Sequence, residues 1–125
     1  MPMIALAILL AAAEADPVAG TWEGTSLCQI KPSPCHDEHV IYRFTKTATR
    51  QYRLEAYKVV NGQEQYMGPI DFSLDAAGHL LSGSNKDRAG VVHPWLFTVR
   101  GTHISGKALT GPNGQVFRLI EVDKH

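Results

Sequence analysis

No surplus of charge of either sign marks this chain: twelve Lys and Arg stand against twelve Asp and Glu over 125 residues. Proteins that grip nucleic acid need a clustered excess of Lys and Arg to neutralise phosphates, so no nucleic-acid partner is expected. The densest basic stretch, Lys46, Arg50, Arg53 and Lys58, reads as the solvated outer face of a strand pair. Beyond the N-terminus no apolar run is long enough to cross a bilayer, which argues against a stable membrane anchor. Catalytic signatures are also missing. There is no Gly-x-Ser-x-Gly elbow, no phosphate-cradling glycine-rich loop and no His-Glu-x-x-His. Glu23, Asp37, Glu38 and Asp71 have the chemistry of general acids and bases, but nothing in the sequence brings two of them together. The expectation is a protein that is not an enzyme, with no catalytic residue, no bound metal and no cofactor.

Cysteine is scarce, and the two present decide a compartment. The first fifteen residues hold an apolar stretch ending at Ala13-Glu14-Ala15, the small-x-small pattern of signal-peptidase cleavage, followed by polar Asp16 and structure-breaking Pro17. Residues 1–15 are therefore read as a signal peptide and 16–125 as a single small domain, secreted or periplasmic, with a net charge of +1. In such a compartment Cys28 and Cys35 are expected to form a disulfide closing a short loop. The neighbouring His36-Asp37-Glu38-His39 run gathers four side chains that bind zinc or copper elsewhere. Consecutive residues entering a strand point to opposite faces, so the plainer reading is a polar loop leaving the disulfide. His79, His93 and His103 are scattered singly and read as ordinary strand residues.

Turn signals and period-two alternation fill the rest. Val40, Tyr42 and Phe44 share one face of Glu38–Lys46, and Tyr52, Leu54 and Ala56 share one face of Arg50–Val60. Asn61-Gly62 supplies a two-residue hairpin turn, because both positions take positive φ at low cost. Gln63–Met67, a break at Gly68-Pro69, and a strand through Ile70, Phe72 and Leu74 follow, then His79–Gly83. Ser84–Gly90 reads as a mobile loop. In Val91–Arg100, Trp95, Phe97 and Val99 share a face, and Pro94 implies an edge, a bulge or a strand start. Val18–Ser26, Thr102–Leu109 and Gln115–Asp123 bring the total to eight or nine short strands. The fold class is all-β, a small antiparallel meander barrel of about eight strands, since closure removes exposed edges.

Gly20-Thr21-Trp22 at the start of the first strand resembles the Gly-x-Trp element of the calycin barrels: lipocalins, fatty-acid-binding proteins and avidins. The resemblance implies that an arginine of the last strand packs over this tryptophan at the closed end, and Arg118 occupies the matching position. A guanidinium stacks well on an indole, so Trp22 and Arg118 are assigned a structural role. The chain departs from lipocalins in its shortness, in lacking a flanking helix pattern and in lacking their later motifs. More loosely, it resembles bacterial periplasmic inhibitors of metalloproteases and lysozymes.

Inward-facing side chains of such a barrel either fill the interior or line a site for one small molecule. Filling is the plainer reading, whereas the hydroxyls of Tyr42 and Tyr52 argue for a pocket. Tyr42, Phe44, Tyr52, Leu54, Phe72, Trp95 and Phe97 are the candidate ligand-binding residues of a monomeric carrier for a small apolar ligand. The alternative partner is an extracytoplasmic protein. On that reading the chain inhibits a protease or lysozyme through a disulfide-stiffened wedge such as Ser26–His39, or through Ser84–Gly90.

Overall fold

The computed structural model describes residues 16–30, 35–111 and 114–125. The predicted signal peptide, residues 1–15, lies outside the described residues. Eight antiparallel strands follow in chain order: β1 (Gly20–Cys28), β2 (Glu38–Ala48), β3 (Gln51–Val60), β4 (Gln63–Leu74), β5 (Leu80–Lys86), β6 (Val92–Arg100), β7 (His103–Leu109) and β8 (Val116–Lys124). Each pairs with its neighbour in sequence, and β1 also pairs with β8, so the meander closes into a barrel. The alternation read from the sequence is what buries the core: Val40, Tyr42, Phe44, Tyr52, Leu54, Ala56, Ile70, Phe72, Leu74, Phe97 and Val99 all point inward and are buried. Asn61 and Gly62 take the positive φ values that the hairpin requires, 52° and 77°.

Three local expectations change. The predicted break at Gly68-Pro69 is a bulge inside one continuous strand: Ala56 pairs with Gly68 and Tyr57 with Tyr66, leaving Met67 as the extra residue. Ser84, Asn85 and Lys86, predicted to lie in a mobile loop, extend β5 and pair with Pro94, His93 and Val92. The connection is thereby reduced to residues 87–91, where the Asp87 carboxylate accepts from the Ala89 and Val91 amides. Pro94 lies within β6 just beyond its ladder to β7, which begins at Trp95↔Ala108. On that side the missing N–H is at an edge, where its loss is tolerated.

The barrel has two unlike ends. At the end where β1 begins, residues 16–19 fold under the barrel with Val18 fully buried. Its carbonyl accepts from the Trp22 indole at 2.9 Å. The Asp16 carboxylate accepts from the Val18 and Ala19 amides at 2.8 and 2.9 Å and from the Tyr52 hydroxyl at 2.8 Å. Burial by itself would raise the pKa of Asp16; these donors, with Lys46 beside them, outweigh it and hold the carboxyl below its ordinary value. Burial and the Asp16 charge push the Tyr52 phenol up to about 12. Above this plug the Phe72 and Phe97 rings stack with centroids 5.0 Å apart, and Phe44 meets both edge-on. Phe97 lies flat across Gly106, where a Cβ would come within 2.1 Å of its ring. This half of the barrel is filled.

Candidate functional site

The opposite end is hollow, and two features of the chain make it so. First, β4 and β5 pair only from Phe72↔Gly83 to Leu74↔Leu81; toward this end the two strands run on without a ladder between them. Second, the inward positions here carry smaller side chains, Ser26 of β1 and Ala56 of β3, in place of the rings farther down. The result is a cavity of about 190 Å³ lined by Ser26, Glu38, Tyr42, Leu54, Ala56, Met67, Gly68, Pro69, Ile70, Asn85, Trp95 and Arg118. Met67, Gly68 and Pro69 lie on one side of the β4–β5 gap and Asn85 on the other, so the opening is lateral as well as axial.

The lining divides by chemistry. Leu54, Ala56, Ile70, Met67, Pro69 and the Trp95 indole form an apolar wall. Trp95 is fixed by Asn85, whose side-chain oxygen accepts the indole N–H at 2.7 Å, and by an edge contact with Phe97. Across the cavity stand Arg118, Glu38, Tyr42 and Ser26. Arg118 donates through Nη1 to the Ser26 carbonyl and hydroxyl, each at 3.2 Å, and to the His36 carbonyl at 3.1 Å. Glu38 Oε1 lies 3.5 Å from the same nitrogen, an ion pair whose side chains are only 14% (Arg118) and 17% (Glu38) exposed. Burial, reinforced by the Glu38 charge, pushes the Tyr42 phenol well above its ordinary pKa, so it stays protonated as a donor.

Of the seven candidate ligand-binding residues, Tyr42, Leu54 and Trp95 line this cavity. Phe44, Phe72 and Phe97 do not; they pack against one another in the filled half, and Tyr52 is tied to Asp16 at the closed end. The expected stacking of Arg118 on Trp22 does not occur. Register explains why: Trp22 pairs with Lys124, whereas Arg118 pairs with Cys28 six residues farther along the ladder, about 20 Å away at strand rise. The cation over the Trp22 ring is Lys124, with Nζ 5.6 Å from the centroid and also bonded to the Asp16 carbonyl at 2.9 Å.

Cys28 and Cys35 are joined, with Cα atoms 5.8 Å apart, at the rim of the hollow end. The segment leaving the bond is fastened twice, by the Cys28 amide donating to Asp37 at 2.8 Å and by Arg118 on the His36 carbonyl. From there the chain alternates as a strand must. Glu38 turns into the cavity, and His39 turns outward to Glu23, with Nε2 2.5 Å from its carboxylate. Among the described residues no group of three or more His, Cys, Asp or Glu is arranged to hold a metal ion.

Sequence reasoning missed the polar lining residues Ser26, Glu38, Asn85 and Arg118, and with them Ala56, Met67, Gly68, Pro69 and Ile70. The signal was present: Glu38 shares its parity with Val40 and Tyr42, and Arg118 shares its own with Ile120 and Val122. Comparison with protein-family models, with curated proteins and with solved structures finds no match to this chain.

Proposed function

We propose that this protein is an exported, non-enzymatic, calycin-like barrel that binds one small, largely apolar molecule in its hollow end. The observation that carries the reading is the 190 Å³ cavity above a filled lower half, with an apolar wall and a gap between β4 and β5 for entry. An apolar cavity of about 150 Å³ accommodates benzene, so the ligand is on the scale of one ring or a short branched chain. The calycin assignment is supported by the closed eight-strand meander, by Gly20-Thr21-Trp22 at the head of β1, and by a cation over that tryptophan. Export is supported by the apolar stretch ending at Ala13-Glu14-Ala15 and by the disulfide, which persists in oxidising compartments. The non-enzymatic reading is supported by the sequence, which carries no Gly-x-Ser-x-Gly elbow, no phosphate-cradling glycine-rich loop and no His-Glu-x-x-His.

Trp95 provides the test. Titration with small aromatic and branched aliphatic probes should change its fluorescence saturably, and Ala56→Leu, which places extra methyl groups in the cavity, should abolish the change. A native protein that binds no small aromatic or branched aliphatic probe, whether neutral, singly charged or zwitterionic, below millimolar concentration refutes the reading.

A second reading, inhibition of an extracytoplasmic hydrolase, is favoured by one observation. Of the predicted wedge, residues 31–34 lie outside the described residues; the described part is fastened by Asp37 on the Cys28 amide and Arg118 on the His36 carbonyl, which lowers the entropy cost of docking that rim into a partner. Capture of a hydrolase from periplasmic extract that is lost on reduction of Cys28–Cys35 would select it over the carrier reading.

A further inference from the structure

The cavity contains one full positive and one full negative charge, held close together but imperfectly matched. Every hydrogen bond that Arg118 makes among the described residues uses Nη1, and since no buried side-chain nitrogen or oxygen there lacks a partner, Nε and Nη2 are open to the cavity's solvent. Glu38 accepts no hydrogen bond among the described residues and meets Arg118 only through Oε1 at 3.5 Å. A guanidinium and a carboxylate optimised for each other would make two short parallel bonds. Here both retain unused capacity, and both line the same cavity as Leu54, Ile70, Met67 and Trp95.

We infer that the ligand is a small zwitterion of the α-amino-acid type bearing an apolar side group, its carboxylate on Arg118, its ammonium on Glu38 and its side group against the apolar wall. This rests on the reading of the hollow end as a ligand site, and it names the ligand's chemistry. Elimination by charge carries the argument. A purely apolar ligand would strip water from the open faces of Arg118 and Glu38 and return nothing, a cost that buried ions do not tolerate. A lone carboxylate gains Arg118 but is driven against Glu38; a lone ammonium gains Glu38 but is driven against Arg118. A ligand carrying both signs a few ångströms apart satisfies both groups while keeping the cavity neutral, and its charge-assisted bonds exceed those that a neutral donor and acceptor would make there. The Tyr42 hydroxyl, bonded to Ser26, and the Asn85 amide, whose oxygen accepts from Trp95, add neutral polar groups to the lining without disturbing that balance. The cavity, about 190 Å³ for the whole ligand where about 150 Å³ holds benzene, admits no side group larger than a single ring or a short branched chain.

Calorimetric titration of the native protein with L-phenylalanine, 3-phenylpropanoate, 2-phenylethylamine and ethylbenzene tests this, because the set varies charge at nearly constant shape. L-Phenylalanine should bind at least tenfold more tightly than each of the other three. Glu38→Gln, nearly isosteric and leaving Arg118 unopposed, should weaken L-phenylalanine about tenfold and bring 3-phenylpropanoate to parity or better. Ala56→Leu should abolish binding of all four. Equal or tighter binding of 3-phenylpropanoate, 2-phenylethylamine or ethylbenzene by the native protein, lost in Ala56→Leu, overturns the zwitterion while leaving the cavity as the site. No binding by any member, or binding indifferent to Ala56→Leu, overturns the site reading along with it.

Discussion

Replacing Asp16 should loosen the closed end and little else, and the size of the effect can be worked out from its bonds. One carboxylate accepts from two backbone amides at 2.8 and 2.9 Å and from the Tyr52 hydroxyl at 2.8 Å, with Lys46 Nζ 3.5 Å away. Hydrogen bonds to a charged group contribute about 1.5–3 kcal/mol each when well shielded. Asp16 is partly open to solvent, so the sum is discounted: Asp16→Ala should cost about 3 kcal/mol and Asp16→Asn, which keeps a neutral acceptor, about 1 kcal/mol. For a domain of this size 1 kcal/mol corresponds to about 4 °C in Tm, so Asp16→Ala should melt about 12 °C lower. The pH dependence has a definite sign. A carboxyl whose folded pKa lies below its ordinary 3.8 adds stability above that value and loses it as the pH falls through the folded pKa. The gap between native protein and Asp16→Asn in urea unfolding should therefore be constant from pH 5 to 8 and narrow below about pH 4. A double-mutant cycle with Tyr52→Phe should return a coupling of about 1–2 kcal/mol. A loss under about 0.5 kcal/mol for Asp16→Ala, or a gap that widens on acidification, refutes the plug as a source of stability.

Gly106→Ala drives a Cβ to within 2.1 Å of the Phe97 ring and should cost about 2–3 kcal/mol, partly recovered by adding Phe97→Leu; an unchanged Tm would show that the ring yields freely. Cys28→Ser with Cys35→Ser opens a loop of about eight residues and should cost about 2.5 kcal/mol by chain entropy, read as a lower urea midpoint with the barrel's circular dichroism retained. His103, flanked by Asp123 and then Glu121, has its pKa raised above 6.5, so its contribution is complete below that value and is lost as the pH rises through the folded pKa. The Tm difference between native protein and His103→Gln should accordingly be positive at pH 5.5 and vanish by pH 9, staying under the equivalent of about 1 kcal/mol because the ring is exposed.

Wherever one face of a strand is buried along its length, the sequence was readable, since parity alone then sorts the residues. That is why β2, β3 and β6 were legible through Tyr42, Leu54 and Phe97. Parity fails where burial is incomplete. Ser84–Lys86 pair only with β6 and border the gap toward β4, so they carry no apolar alternation and look like loop. Gly68-Pro69 has the composition of a break because a bulge needs the same residues. Register is the other hidden quantity. Arg118 and Lys124 share one face of β8, and which of them meets Trp22 depends on pairing across roughly a hundred residues that no local pattern encodes. The site was legible only in part for the same reasons: Tyr42, Leu54 and Trp95 follow from parity, while Glu38, at the junction of the polar loop and its strand, was not carried onto the inward face and Arg118 was assigned to the wrong end.

The filled half and the hollow half are two solutions to one constraint, since a barrel of eight strands has room for either a packed interior or one small ligand. Near the closed end the chain spends its large side chains, Trp22, Phe44, Tyr52, Phe72 and Phe97, and ties them down with Asp16 and Lys124. That packing offsets the cost of the other end, where Arg118 and Glu38 are mostly shielded from bulk water and meet only at 3.5 Å. A chain selected for stability alone would fill the upper positions with apolar side chains, because such replacements of buried ion pairs are commonly neutral or stabilising. The ion pair lies where the inward side chains are Ser26 and Ala56, with no ring laid across them, and where the wall parts between β4 and β5. Charge, volume and access thus coincide at a single place, and that coincidence is what the proposed ligand site rests on.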